Sequence, residues 1–130
     1  MLNQKQTFQA GAAFGVLGVA LGAFGAHALK PTLVSNNSLE TYELAVRYQF
    51  YHAFALLIIG LIMEKIITKS LGYAALFMIA GIILFSGSLY ALAFKAGKLV
   101  AFVTPIGGIF LIAGWFFILL AVGRKSKRPD

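Results

Sequence analysis

Three side chains capable of acid–base or charge chemistry, Glu43, Arg47 and His52, lie close together in the chain, just before the apolar segment Ala53 to Met63. Glu43 and Arg47 have the i, i+4 spacing at which opposite charges on a helix can pair. His52 could bond to another helix, carry a proton or bind a metal. Placing an ionisable group near the end of a membrane-spanning helix costs free energy unless the group has a partner, so these residues mark a candidate functional site.

The composition places these side chains in a membrane protein. The chain of 130 residues is 60% hydrophobic and only 12% charged, which excludes an ordinary soluble domain. Its first apolar run resembles a signal peptide, but the length of the run favours an uncleaved helix. We predict one membrane domain over 1–130, with spans at about 7–29, 42–63, 71–94 and 99–122 and a basic cytoplasmic tail at 123–130.

The net charge of +7 comes from eleven Lys and Arg residues, which sit almost wholly at the ends of apolar runs. Positive-inside topology explains this placement better than a nucleic-acid partner does. Four spans put both termini on one side, and that side carries the larger number of positive charges. We therefore predict cytoplasmic termini. The chain has no cysteine, which excludes disulfides, thiolate metal sites and a cysteine nucleophile.

Small residues recur along three of the four spans. In the first span they are glycines within an arc of about 80°, a stripe that favours helix packing inside the chain over a dimer motif. Because Ala13, Ala20 and His27 occupy the opposite face, we expect this helix to be central. The stripe consists of Gly11, Gly15, Gly18, Gly22 and Gly25.

The third and fourth spans repeat small residues every seven positions. These residues are Ala74, Gly81 and Ser88 in the third span, and Gly107, Gly114 and Ala121 in the fourth. The repeat predicts an all-α integral membrane four-helix bundle with left-handed packing.

Two prolines bear on the connections between spans. Pro31 is expected to end the first helix, because proline disfavours a helical residue before it. A polar loop at 32–38 follows, and the second helix begins near Ser38 with a side-chain cap. Pro105 either kinks the fourth helix or starts it with Thr104 as its cap.

The predicted topology brings most polar side chains of the spans into the outer half of the bilayer. We therefore expect an outward-facing polar cavity, with Gln49 and His52 meeting His27 and the serines of the third span, and with a Glu43–Arg47 ion pair beside it. The candidate ligand-binding residues are His27, Arg47, Tyr48, Gln49, His52, Ser86 and Ser88.

Each of these side chains also has a simpler interpretation. The two charged residues can form an interfacial ion pair, and the histidines can be neutral imidazoles bonding across helices. A metal or haem site is less favoured, because the chain lacks an i, i+4 His pair and a Glu-x-x-His motif. Ser86 and Ser88 lie outside a nucleophile elbow and fit close packing, while Trp115 and Tyr90 fit an aromatic belt or the core.

Four segments also resemble the signature segments of the family filed as domain of unknown function 423, which includes transmembrane protein 256 relatives. They are Gly22-Ala23-Phe24-Gly25-Ala26-His27, Tyr48-Gln49-Phe50-Tyr51-His52-Ala53, Phe85-Ser86-Gly87-Ser88-Leu89-Tyr90, and Thr104-Pro105-Ile106-Gly107-Gly108 with Gly114-Trp115. Ala28 departs from the glycine more common there. The resemblance implies a four-helix protein of the bacterial plasma membrane with no established activity.

The leading hypothesis is a non-enzymatic, multi-pass plasma-membrane protein that binds, and could transport, a lipid headgroup or a small polar or amphiphilic molecule. Arg47 would meet an anionic group, and His52 would couple to protons. One alternative is a structural subunit that self-associates or docks a membrane partner through its glycine stripe. Another is a metal or haem protein. We predict no cofactor and no nucleic-acid partner. The predicted partner is the lipid bilayer, beside the self-association or membrane partner of the structural alternative.

Overall fold

The computed structural model describes residues 1–124, within which all regular structure is helical. The helices are α1 (Gln4–Ala26), α2 (Lys30–Ser35), α3 (Leu39–Lys65), α4 (Lys69–Ala93) and α5 (Val103–Gly123), with a 3₁₀ helix at Lys98–Phe102 leading into α5. Four segments, α1, α3, α4 and α5 with its 3₁₀ lead, are long and apolar enough to cross a membrane. The predicted all-α membrane fold is therefore confirmed. The predicted basic tail at 123–130 lies outside the described residues beyond Arg124.

The long helices pack in chain order, α1 against α3, α3 against α4, and α4 against α5. A larger share of α3 and α4 is buried than of α1 or α5, so α3 and α4 form the centre. The expectation that α1 lies centrally is wrong. Ala13 and His27, on the face of α1 opposite its glycines, are exposed.

The ends of α1 differ from the predicted span of 7–29 because of local capping. The helix begins at Gln4, since the Asn3 side chain accepts from the Gln6 N–H at 2.9 Å and the Gln6 side chain accepts from the Asn3 N–H at 3.1 Å. It ends at Ala26. The predicted loop is partly helical, because Pro31 lies in the first turn of α2, where its fixed φ suits a helix start.

The start of α3 follows Ser38, as expected, but without the predicted side-chain cap. The Ser38 hydroxyl instead donates to the Ala93 carbonyl at 2.7 Å, and the Asn36 side chain donates to the same oxygen at 3.3 Å. These hydrogen bonds hold the connection between α2 and α3 against the C-terminal end of α4. The beginning of α3 and the end of α4 therefore lie at the same face of the membrane.

The helix α5 begins at Val103, so Pro105 lies in its first turn, where a missing N–H leaves no helical bond unmade. Of the two predicted alternatives, the helix start is correct. Thr104 does not cap it, however, since its hydroxyl shares a hydrogen bond with Ser88 on α4.

The heptad positions of α4 and α5 are buried against one another, as predicted. Gly81 packs against Leu111, and Gly114 packs against Met78. The closest approach is at Gly107, which lies directly against the backbone of Phe85. Because lipid gives apolar helices no hydrophobic reason to associate, such close backbone packing stabilises the α4–α5 pair.

The glycine stripe of α1 packs against α3 within the same chain, which favours the intramolecular interpretation. Gly11 faces Ala53 and Leu57, Gly18 faces the ring of Phe50, and Gly25 faces the ring of Tyr42. Two glycines of the stripe have more room. A methyl group on Gly22 would lie 3.5 Å from Val46, and one on Gly15 would meet nothing within 4 Å.

Candidate functional site

Gln49 is the centre of a hydrogen-bond chain that joins three helices. The side chain is 3% exposed, and its Nε2 donates to the Phe14 carbonyl of α1 at 2.9 Å. The Tyr90 hydroxyl of α4 donates to its Oε1 at 2.7 Å. An unpaired amide would be costly in hydrocarbon, so these bonds fix the positions of α1 and α4 relative to α3.

His52 bridges α3 to α5. Trp115 Nε1 lies 3.1 Å from His52 Nε2, and His52 Nδ1 lies 2.7 Å from the Tyr48 carbonyl. An indole N–H can only donate, so Nε2 accepts and Nδ1 carries the hydrogen. His52 is thus a neutral imidazole with both nitrogens engaged, which leaves neither for a metal ion.

The two serines do not join this group around Gln49 and His52. Ser86 is 1% exposed and donates to the Ala45 carbonyl of α3 at 2.7 Å. Ser88 turns toward α5, sharing a hydrogen bond with Thr104 and donating to the Phe85 carbonyl at 2.9 Å. Throughout residues 1–124, every buried side-chain nitrogen and oxygen has a hydrogen-bond partner. The buried polar groups are therefore satisfied by the protein itself.

His27 is not part of the same group, and the prediction that it meets His52 is wrong. It is exposed and follows the last residue of α1. Gly25, two residues earlier, packs against Tyr42 of α3. From Tyr42 to His52 the helix rises about 15 Å, which separates the two histidines. The described part of the chain contains no group of three or more His, Cys, Asp or Glu side chains placed to hold a metal.

Glu43 and Arg47 lie on the rim of a cleft between α1 and α3. Both side chains are exposed. Two side chains of opposite charge therefore line one cleft, and the ion pair between them stays a prediction. The cleft has a volume of about 290 Å³ and is lined by Gly22, Gly25, Ala26, Tyr42, Glu43, Val46 and Arg47.

The glycines of α1 and the ring of Tyr42 create this cleft. Gly22 and Gly25 have no side chains to fill it. Tyr42 is 1% exposed, and its hydroxyl donates to the Leu21 carbonyl of α1. Its ring also packs edge-on against Tyr90 and Phe94, with centroid distances of 5.2 and 6.1 Å. Tyr42, which forms one wall of the cleft, is therefore held in position by α1 on one side and by Tyr90 and Phe94 on the other.

A second cleft, of about 320 Å³, lies beside His52 and Trp115 between α3, α4 and α5. Its walls are mainly aromatic and aliphatic, and the rings of Tyr48 and Phe85 pack there with centroids 4.7 Å apart. The nitrogens of His52 are already engaged. This cleft offers an apolar surface, whereas the α1–α3 cleft is lined by two charged side chains.

Sequence patterns do not identify Tyr90 and Trp115 as the partners of Gln49 and His52, because both aromatic residues equally fit a membrane-interface belt or the core. The available signal was that Gln49 and His52, once buried, need partners on other helices, and that a tyrosine hydroxyl and an indole can supply them.

Replacing Gln49 by leucine should destabilise the fold by about 1 to 2 kcal/mol, because hydrogen bonds between membrane helices are worth about 0.6 kcal/mol on average and up to about 1.7. Detergent-induced unfolding followed by the fluorescence of Trp115, the only tryptophan, measures this. Tyr90→Phe removes one of the two bonds and should cost less. A Gln49→Leu protein as stable as the wild type would show that the chain of bonds does not hold the helices together.

Comparison with known proteins gives consistent relatives. Residues 21–108 match the family described as Protein of unknown function (DUF423). A UPF0382 membrane protein of Staphylococcus aureus is 42% identical over 111 residues, covering 85% of this chain and 89% of the relative. The UPF0382 inner membrane protein YgdD of Escherichia coli is 39% identical over 116 residues, covering 88% and 86%. No solved structure matches the chain.

The two relatives cover 85% and 88% of the chain, and their names describe membrane and inner membrane proteins. Together with the four helices of spanning length, they identify a multi-pass protein of the plasma membrane. The chain belongs to the family of proteins of unknown function DUF423.

Proposed function

We propose that this protein binds a phospholipid headgroup in the cleft between α1 and α3, with Arg47 as the partner of the phosphate. The observation that carries the proposal is that Glu43 and Arg47 line one cleft and that both side chains are exposed. A guanidinium presents its donors in a planar fork that matches phosphate oxygens. Arg47 is therefore suited to a phosphate held at the membrane interface.

The length of α3 supports a position of this cleft at headgroup depth. The helix has 27 residues, so it is about 40 Å long, roughly 10 Å more than the hydrocarbon core. With Lys65 at the opposite interface, the first turns of α3 extend into the headgroup region. Arg47 lies at the border of the hydrocarbon, where its long side chain reaches phosphate depth.

The same face of α3 continues toward the bilayer centre with apolar side chains. Phe54, Ile58 and Leu61 share an arc of about 60° with Glu43 and Arg47, and all three are exposed. A lipid with its phosphate at Arg47 would lay its acyl chains along this strip. The helix thus offers polar and apolar contacts in the order in which a lipid presents them.

Binding is better supported than transport. The polar groups deeper than Arg47, such as Gln49 and His52, already bond within the protein. Because these groups are engaged within the protein, they do not favour a polar path toward the other leaflet. We also propose that the termini are cytoplasmic and the cleft faces the outer leaflet, since the loops on the terminal side carry more Lys and Arg.

The two alternative functions have weaker support. An assembly role through the glycine stripe requires free glycines, yet most of the stripe packs against α3 and only Gly15 is open. A metal or haem held between the histidines requires His27 and His52 to approach each other. His27 is instead exposed at the end of α1.

Arg47→Ala should reduce the phospholipid retained by the purified protein about tenfold. Hydrogen bonds to charged groups contribute about 1.5 to 3 kcal/mol, and a loss of about 1.4 kcal/mol corresponds to a factor of ten. Native mass spectrometry of protein released from nanodiscs counts the bound lipid. Lys98→Ala is the matched control, since Lys98 is an exposed cation at the same end of the bundle.

A second pair of variants tests the place of binding. Gly22→Leu would fill the cleft, and Gly15→Leu adds the same side chain to α1 at a position with open space. The first should lower lipid retention and the second should not. Equal retention by the wild type, Arg47→Ala and Gly22→Leu would refute the proposed function.

A further inference from the structure

We infer that the headgroup bound in this cleft carries an amine beyond its phosphate, and that Glu43 binds the ammonium while Arg47 binds the phosphate. This inference rests on the proposed function and narrows it to amine-bearing phospholipids, of which phosphatidylethanolamine is the simplest.

The first argument is charge balance. The cleft is lined by one carboxylate and one guanidinium, and its other lining residues are uncharged. A purely anionic headgroup would leave the Glu43 carboxylate beside a phosphate, and like charges at close range repel. A headgroup with one negative and one positive charge pairs with both side chains.

The neighbouring acidic residue does not alter this balance. Glu40 is one turn before Glu43, but its side chain lines a separate cavity with Val34, Asn37, Leu39 and Thr41. Glu43 is therefore the acidic side chain that the cleft presents to a ligand among the described residues.

The second argument is the order of the two charges along α3. The helix starts at the membrane surface, so Glu43 lies nearer the water and Arg47 one turn deeper, about 6 Å further along the axis. In a phospholipid the phosphate is joined to the glycerol, and an amine of the headgroup lies beyond it, toward water. The deeper cation and the shallower anion match that order, whichever face of the membrane the cleft occupies.

The cleft also has room for such a headgroup. Gly22 and Gly25 of α1 have no side chains to fill it, so a ligand with complementary charges can lie beside both Glu43 and Arg47.

The experiment measures lipid preference in nanodiscs containing equal amounts of phosphatidylethanolamine and phosphatidylglycerol with the same acyl chains. Native mass spectrometry compares the lipids retained by the wild type, Glu43→Gln, Glu40→Gln and Arg47→Ala. We expect the wild type to retain the ethanolamine lipid at least about fivefold over the glycerol lipid, in line with the loss of about 1 kcal/mol expected for one charged contact at an interface.

Glu43→Gln should abolish this preference while keeping Arg47-dependent binding, and Glu40→Gln should leave the preference unchanged. Unfolding followed by Trp115 fluorescence confirms that each variant is folded. Arg47-dependent binding without a preference for the ethanolamine lipid, or a preference that survives in Glu43→Gln, overturns this inference and leaves the proposed function standing. Lipid retention that does not depend on Arg47 overturns both.

Discussion

Gly107→Ala is expected to lower the stability of the fold by about 2 kcal/mol or more. Overpacking a well-packed core costs about 1 to 3 kcal/mol when side chains can adjust. At Gly107 the added methyl group would meet the backbone of Leu84 and Phe85 on α4, which cannot rotate away. Relief requires α4 and α5 to separate, and these two helices contact each other more extensively than any other helix pair among the described residues.

Gly108 supplies the matched control for this change. It neighbours Gly107 on α5, and a methyl group there would lie 3.8 Å from the ring of Phe85, an ordinary contact. Gly108→Ala should be neutral or gain up to about 1 kcal/mol from helix propensity. Detergent-induced unfolding followed by Trp115 fluorescence compares the two variants. Equal stabilities would mean that α4 and α5 are not held as close as described.

The helices and their close-packed faces could be predicted from the sequence because both depend on local patterns. Long apolar runs specify spans by length alone. The sevenfold spacing of Gly107, Gly114 and Ala121 specifies a face of α5, and these residues are indeed buried. The same spacing of small residues on α4 specifies the surface against which this face of α5 packs, and Gly81 on that surface is buried.

The partners of the buried polar groups could not be predicted because they depend on the rotation of each helix about its axis. One residue of rotation moves a side chain by about 100°. Gln49 and His52 were expected to meet the histidine of α1 and the serines of α4. They meet Tyr90 and Trp115 instead, and each bond crosses to a different helix.

The position of His27 depended on where α1 ends. The apolar pattern predicts a first span that reaches residue 29. In such a helix His27 would be a helical residue on a packed face. The helix ends at Ala26, and His27 takes φ −124° and ψ −87°, outside the helical region. Apolar patterning does not resolve such an end, because the residues around it are compatible with both conformations.

The candidate site therefore changes from the deeper polar residues Gln49 and His52 to the α1–α3 cleft. Spacing alone favoured an ion pair between Glu43 and Arg47 and a functional role for the deeper polar residues. In the structure Gln49 and His52 form hydrogen bonds to other helices, whereas the charged side chains of Glu43 and Arg47 are exposed at a cleft. A bound ligand needs groups that the protein has not already used, so the charged rim of the α1–α3 cleft is the better candidate.

Gly25→Ala is the second change with a large expected effect, and it tests how firmly α1 is held on α3. A methyl group at this position would overlap the ring of Tyr42, which is buried and packed against Tyr90 and Phe94. The ring has no space to retreat, so we expect a loss of about 1 to 2 kcal/mol after allowing for the gain in helix propensity. Unfolding followed by Trp115 fluorescence gives the value.

Gly15→Ala is the control on the same stripe, because a methyl group there meets nothing within 4 Å. It should leave stability unchanged or raise it by up to about 1 kcal/mol. If both alanine variants are equally stable, the stripe does not hold α1 through Tyr42. Since Gly25 and Tyr42 also line the cleft, Gly25→Ala should weaken lipid retention together with stability. Arg47→Ala should weaken retention with little change in stability, because its side chain is exposed.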